Sequence, residues 1–209
     1  NIAQVYRMSN YQLDEKYIAS GHQDNGSNYF KNGTWKHIFG ADGMEAIIDP
    51  YNTDVVYVSW QNGNFNKSTD GGVSFNGIFD PGSYSDYGNW VTPFEMSGIE
   101  NSTLYIGCEN VYRSKNGGSS WTSLTSSLNM SNSLSCIKPA PSNDSTIYAY
   151  ESIVLYYTHD AGLTWEVNPI NYIGGEITDI EVSKKDPKKV YITVAGYTNG
   201  KKVYYSEDG

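Results

Sequence analysis

Two aspartates pose the chemical question in this 209-residue chain. Asp24 lies in Gly21-His22-Gln23-Asp24-Asn25-Gly26, and Asp42 lies in Gly40-Ala41-Asp42-Gly43-Met44-Glu45. Two carboxylates about 5–10 Å apart are the apparatus of glycoside hydrolysis, one protonating the leaving oxygen and the other attacking or activating water. Asp24 and Asp42 are thus the candidate acid/base pair, and no other catalytic residue stands out. His22, one of three histidines, sets a titratable ring beside Asp24. The same two aspartates with loop carbonyls form a hard-oxygen set of the kind a structural calcium takes. The competing assignment is local: an Asp next to Gly bonds its own backbone in a turn. No zinc motif, phosphate loop, nucleophile elbow or nicotinamide fingerprint occurs. Beyond that structural cation, neither a metal site nor an organic cofactor is expected.

Binding chemistry is written elsewhere. The longest non-repetitive stretch, 79–91, carries Tyr84, Asp86, Tyr87 and Trp90. Aromatic rings beside Asp, Asn and Gln suit sugar stacking with hydroxyl hydrogen bonds, and equally suit protein recognition. With His22, Gln23, Asp24, Asp42 and Trp60, these are the expected ligand-binding residues. The alternative for Trp90 is a ring packed in an ordinary loop.

Something must position these loops, and a repeat does so. Ser68-Thr69-Asp70-Gly71-Gly72-Val73-Ser74-Phe75 recurs as 114–121, with Ser114, Asn116, Gly118 and Trp121 in the matching places. It recurs again as 158–165, with Thr158, Asp160, Gly162 and Trp165, and it begins once more at Ser206 and Asp208. The copies are 44 to 48 residues apart, a period that signals repeat architecture. Hydroxyl, Asp or Asn, and Gly are tight-turn residues, and the closing aromatic is expected to bury its ring as the next strand starts. Between the turns lie β-branched strands with a central Tyr57, Tyr105, Tyr148 or Tyr191. Each unit reads as a four-stranded antiparallel meander, over about 1–39, 44–80, 92–126, 134–170 and 176–209. The first ends in a shortened turn, Lys31-Asn32-Gly33-Thr34-Trp35, and the fifth lacks its last strand. The repeated turns mark one end of each meander, and the loops named above collect at the other, where binding residues concentrate.

The pattern Ser/Thr-x-Asp-x-Gly-x-Thr/Ser-Trp is similar to the Asp-box, or bacterial neuraminidase repeat, with Asn116 for Asp, Phe75 for Trp and Ala161 before Gly162 as departures. The resemblance implies an all-β fold, a β-propeller as in sialidases, family 74 xyloglucanases and the luminal domain of sortilin. Five units do not close a ring. A seven- or eight-bladed propeller would need about 320–360 residues, so the chain is expected to be part of a larger propeller protein. Gln23-Asp24-Asn25-Gly26 and Gly40-Ala41-Asp42-Gly43 resemble segments of secreted bacterial Asp-box proteins, and the organisation as a whole resembles large exported proteins of the Bacteroidetes. That resemblance implies a bacterial protein, secreted or on the cell surface, with type IX secretion components among its partners. Sialidases hold their substrate carboxylate with three arginines. This chain has Arg7 and Arg113, the latter directly before a repeated turn, which disfavours sialidase activity. The expected function is a binding or scaffold module for a glycan or protein at the end opposite the turns, joined to the remainder of its own polypeptide. The alternative is a polysaccharide-active glycoside hydrolase resembling family 74.

Composition narrows the partners. Net charge is −9 with 18% charged residues, and scattered lysines do not suit a phosphate backbone, which excludes nucleic acid. No apolar run approaches the roughly 18 residues of a membrane span. Cys108 and Cys136 fall in neighbouring repeats, open to a disulfide or to two small buried thiols.

Overall fold

In the computed structural model, residues 2–128, 130–170, 174–197, 199–200 and 202–209 are described. Thr198 and Lys201 of the last repeat fall outside them. The chain forms two compact units, Asn1–Thr92 and Pro93–Gly209. Among the described residues all regular structure apart from single helical turns is β, in antiparallel sheets whose strands follow one another in sequence.

The first unit holds two four-stranded sheets. One comprises β1 (Val5–Asn10), β2 (Tyr17–His22), β3 (Gly26–Lys31) and β4 (Thr34–Phe39). The other comprises β5 (Ala46–Asp49), β6 (Asn52–Trp60), β7 (Asn64–Ser68) and β8 (Asn76–Phe79). Alternation buries one face of each: Ala19 and Tyr29 meet Ala46, Ile48, Val56 and Val58 in a common core, with Phe39 and Phe75 against it. At about 25 cal/mol per Å2 of apolar surface removed from water, such facing rows hold neighbouring sheets together. The first sheet turns from β3 to β4 through Asn32 and Gly33, both at positive φ (51° and 83°). That is the type I′ geometry that suits a two-residue hairpin. Trp35 departs from expectation: its ring is exposed and rests on Phe30, 5.3 Å between centroids.

The second unit holds β9 (Phe94–Met96), β10 (Leu104–Gly107), β11 (Val111–Ser114) and β12 (Thr122–Ser123). It continues with β13 (Cys136–Ala140), β14 (Asn143–Glu151), β15 (Val154–Thr158) and β16 (Glu166–Pro169). A three-stranded sheet follows: β17 (Ile177–Val182), β18 (Val190–Val194) and β19 (Val203–Ser206). Tyr105, Val111 and Leu134 pack on Ile137, Ile147 and Ala149. Tyr148, Tyr150 and Ile170 pack on Ile177, Ile180 and Val190. The first strands of the three sheets share one cation: Lys138 Nζ lies 3.0 Å from Glu95 and 3.4 Å from Glu181. No disulfide joins the two cysteines; Cys108 is buried and Cys136 half-buried.

The repeated turn joins third to fourth strand and stabilises itself. Ser68 Oγ accepts from Gly72 N (2.9 Å) and donates to Asp70 Oδ1 (2.7 Å). Asp70 accepts from Ser74 N (2.9 Å) and, through Oδ2, from Ser74 Oγ (2.6 Å). Those bonds, from Ser74 first and Ser68 next, hold the Asp70 carboxyl well below the usual carboxylate range. Thr158, Asp160 and Thr164 repeat the arrangement, and Asp160 is pulled down to about 2, chiefly by Thr164. Ser114 does the same with a neutral Asn116. Ser206 Oγ reaches Asp208 Oδ1 at 2.9 Å. After the three complete turns the fourth strand begins one residue past the aromatic rather than on it, whereas β4 begins one residue before Trp35. Trp165, for one, packs against the core beside Leu124 and donates Nε1–H to the Leu124 carbonyl (3.0 Å).

Candidate functional site

All nine candidate ligand-binding residues lie in the first unit, at strand ends and connections remote from the repeated turn. Two of them are not loop residues: His22 closes β2 and Trp60 closes β6. The Gln23–Asn25 connection and the 40–45 connection are tied together. Gly43 N donates to the His22 carbonyl (3.0 Å), and Asp24 N donates to Asp42 Oδ1 (2.7 Å). The two candidate acids are thereby brought together, but through a backbone amide, with Asp42 acting as a staple between loops.

His22 is not a charged partner for Asp24. Its Nε2 shares a 2.7 Å bond with Ser20 Oγ, its Nδ1 is buried with no partner among the described residues, and burial lowers its pKa. The imidazole is neutral at pH 7. Among the described residues no group of three or more His, Cys, Asp or Glu side chains is placed to hold a metal ion.

Trp90 is held by a chain that sequence reasoning missed. Its Nε1–H donates to Tyr6 Oη (3.1 Å), and that hydroxyl donates to Gln23 Oε1 (2.8 Å). The indole is 45% exposed, so it is oriented yet open. Its backbone is fixed too, because Asn62 N donates to the Trp90 carbonyl (3.3 Å). Gly88 makes that approach feasible: a Cβ there would stand 2.7 Å from the Asn62 carbonyl oxygen and 2.3 Å from Thr92 Oγ1. Tyr6 sits 17 residues from Gln23 and 84 from Trp90, and no local pattern signals such a partner.

The rest of the 79–91 stretch divides into buried and open residues. Asp86 is 2% exposed and accepts from Tyr87 N (2.6 Å), which makes it an internal brace and corrects its expected role as a ligand contact. Tyr87 is exposed, and Tyr84 is partly exposed and stacked on Phe79, 5.2 Å between centroids and 13° between planes. Trp60 stacks on Phe39 at 5.6 Å and 14°. A ring backed by another ring offers its remaining face to a partner at little entropic cost. Asp80 opens the Pro81–Tyr84 turn, its Oδ1 accepting from Gly82 N (3.0 Å).

Backbone strain gathers here as well. Of the seven non-glycine residues at positive φ among those described, four are Asp24, Ala41, Asn62 and Ser85. Asp and Asn tolerate that region, whereas Ala41 (64°) and Ser85 (54°) each cost about 1–3 kcal/mol. Strain of this kind persists where surrounding contacts impose it, which is common at binding and catalytic loops.

No family model and no curated protein matches the sequence. Solved structures do. A GH74 enzyme from Niastella koreensis superposes with a TM-score of 0.72 at 18% identity, over 97% of this chain and 35% of that one. YCF48 solved with a D1 peptide gives 0.66 at 17% identity, over 98% and 63%. The extracellular domain of BT3049 from B. thetaiotaomicron gives 0.69 at 12%, over 97% and 30%. Likeness at these identities carries the fold alone, a β-propeller built of antiparallel blades. The chain spans about a third of the GH74 enzyme's length.

Proposed function

We propose that this chain is an extracellular, non-catalytic binding module of the Asp-box propeller kind, and that it takes a glycan at the Trp90 end of its first unit. The observation that carries this is the Trp90–Tyr6–Gln23 hydrogen-bond chain. A half-exposed indole held by two further side chains is preorganised for stacking, and preorganisation cuts the entropy lost on binding. Tyr87 and Tyr84 extend the aromatic surface. Asp42, occupied by the Asp24 amide, serves loop geometry rather than proton transfer. The extracellular assignment draws on the BT3049 domain and on the bacterial Asp-box resemblance. Export through type IX components belongs to the same assignment.

Two other readings have specific support. A protein ligand is favoured by the YCF48 structure, which holds a peptide. A family 74-type hydrolase is favoured by the GH74 superposition; it would need carboxylates freed from the Asp24–Asp42 staple.

An array of neutral and acidic glycans, with a reducing-end assay on the glycans bound, tests the glycan reading against the hydrolase. Glycan binding that is lost in Trp90→Ala is the expected result. Binding unchanged in Trp90→Ala overturns the assignment. Reducing ends released by the wild type and not by Asp24→Ala or Asp42→Ala would establish the hydrolase instead.

A further inference from the structure

A depression of about 370 Å3 opens on the second sheet of the first unit, where β6 and β8 end and β7 begins, beside the Pro81–Tyr84 turn. Trp60 and Tyr84 form walls, and Asn64, Asn66 and Asp80 supply polar atoms. Strand register explains the assembly. Trp60 pairs with Asn64, Val58 with Asn66, and Asn66 with Gly77. Directly opposed residues share a face, and alternate residues of one strand do too. Trp60, Asn64, Asn66 and position 77 therefore look the same way.

Position 77 carries no side chain. A Cβ built there would meet only Asn66 Oδ1, at 3.7 Å, an ordinary contact. The glycine is therefore not demanded by crowding, nor by a positive φ. Gly77 flanks the register shift between Phe65 and Asn66 on the edge strand of its sheet, and a strand glycine marks such a bulge or a place where another molecule approaches the backbone; here its exposed backbone lines the depression. Above this bare floor Trp60 is backed by Phe39 and Tyr84 by Phe79. Beside it the Asn66 amide is 7% exposed.

We infer that this pocket binds an uncharged pyranose residue of a glycan, with the sugar over the Gly77 backbone, a ring face on Trp60 or Tyr84, and hydroxyls bonded by Asn66, Asn64 and Asp80. The volume falls at the lower end of ligand-sized clefts, about 300–1,000 Å3. The charge selects the sugar class. None of the lining residues is Lys, Arg or His, and Asp80 is a carboxylate. A uronic or sialic acid would meet that carboxylate without a cation to offset it. The inference rests on the glycan-binding assignment and adds to it a second contact point and a selectivity.

Gly77→Val tests the pocket. Valine suits a strand, its Cβ fits without a clash, and its methyls fill the floor. Affinity is measured for cellohexaose, xyloglucan and polygalacturonate, with thermal melting alongside. The expected result is binding of a neutral glycan, none of polygalacturonate, and a loss of tenfold or more in Gly77→Val with Tm unchanged. If Gly77→Val binds as the wild type while Trp90→Ala does not, the pocket inference is overturned and the glycan assignment stands. Preference for polygalacturonate overturns the charge selection. Failure of the wild type to bind any glycan overturns the assignment together with the inference.

Discussion

Ser114→Ala probes how the repeated turn holds a blade. Ser114 is fully buried, and Gly118 is buried as well. Its Oγ accepts from Gly118 N (2.9 Å) and Asn116 N (3.3 Å), and donates to Asn116 Oδ1 (2.9 Å). Alanine keeps the β-carbon and removes all three bonds. The long Asn116 bond is only part-buried, within reach of water that can replace it. The Gly118 N–H is not exposed, and a buried donor left without a partner costs about 1–3 kcal/mol. For a chain of this size each kcal/mol moves Tm by about 2–4 °C. A cost of about 2 kcal/mol therefore lowers Tm by about 4–8 °C in calorimetry, provided unfolding of the unit is cooperative. The molecule supplies its own control. Thr158 holds the same place one repeat later, with its Oγ1 accepting from Gly162 N at 3.0 Å, so Ser114→Thr is expected to retain most of the lost stability. A Tm for Ser114→Ala within about 1 °C of wild type would refute the claim that the hydroxyl satisfies a buried amide.

Three further perturbations follow from the geometry. Asp160 has its folded pKa lowered to about 2 by Thr164 and Thr158, so its contribution to stability is present above about pH 4 and is lost as pH falls from there towards 2. Asp160→Asn is expected to flatten that part of a Tm-against-pH curve, since Asn116 already serves the third repeat without a charge; an unchanged acid limb would contradict this. Lys138→Ala strips Glu95 and Glu181 of their shared cation and is expected to cost about 1–3 kcal/mol at pH 7, between exposed and buried pairs. Burial already raises the Glu95 pKa despite Lys138, so protonation relieves the deficit, and the cost measured by denaturant melts should shrink as pH falls through the carboxylate range. Tyr6→Phe removes the acceptor for Trp90 Nε1–H and the donor to Gln23; glycan affinity should fall with little change in Tm, and an equal affinity would show that the chain does not orient the ring.

What the sequence discloses and what it hides follow from the range of the forces. The repeated turn is legible because Ser68, Asp70 and Ser74 act on one another within seven residues, and a local hydrogen-bond pattern leaves a local residue pattern. Blade order follows, since the strands of each sheet are consecutive. Candidate site residues are legible as types but not as roles. Asp86 reads as a surface acid, yet it is buried beneath its own loop. Asp42 reads as an acid partner, yet it binds an amide. Trp35 reads as a buried closing ring, yet the two-residue turn before it leaves it outside. Tyr6, Asn66 and Gly77 carry no sequence signal of their place, because it depends on strand register and on contacts far apart in the chain, which no short motif encodes.

Binding at the Trp90 end is tested most directly by the affinity of wild type and Trp90→Ala for one neutral glycan drawn from the array. An exposed tryptophan that anchors a ligand is worth about 2 kcal/mol, or about 30-fold in Kd. The wild type is expected to bind, to release no reducing ends, and to lose about that factor in Trp90→Ala with its melting curve intact. Equal affinity in the two proteins would contradict binding at that end.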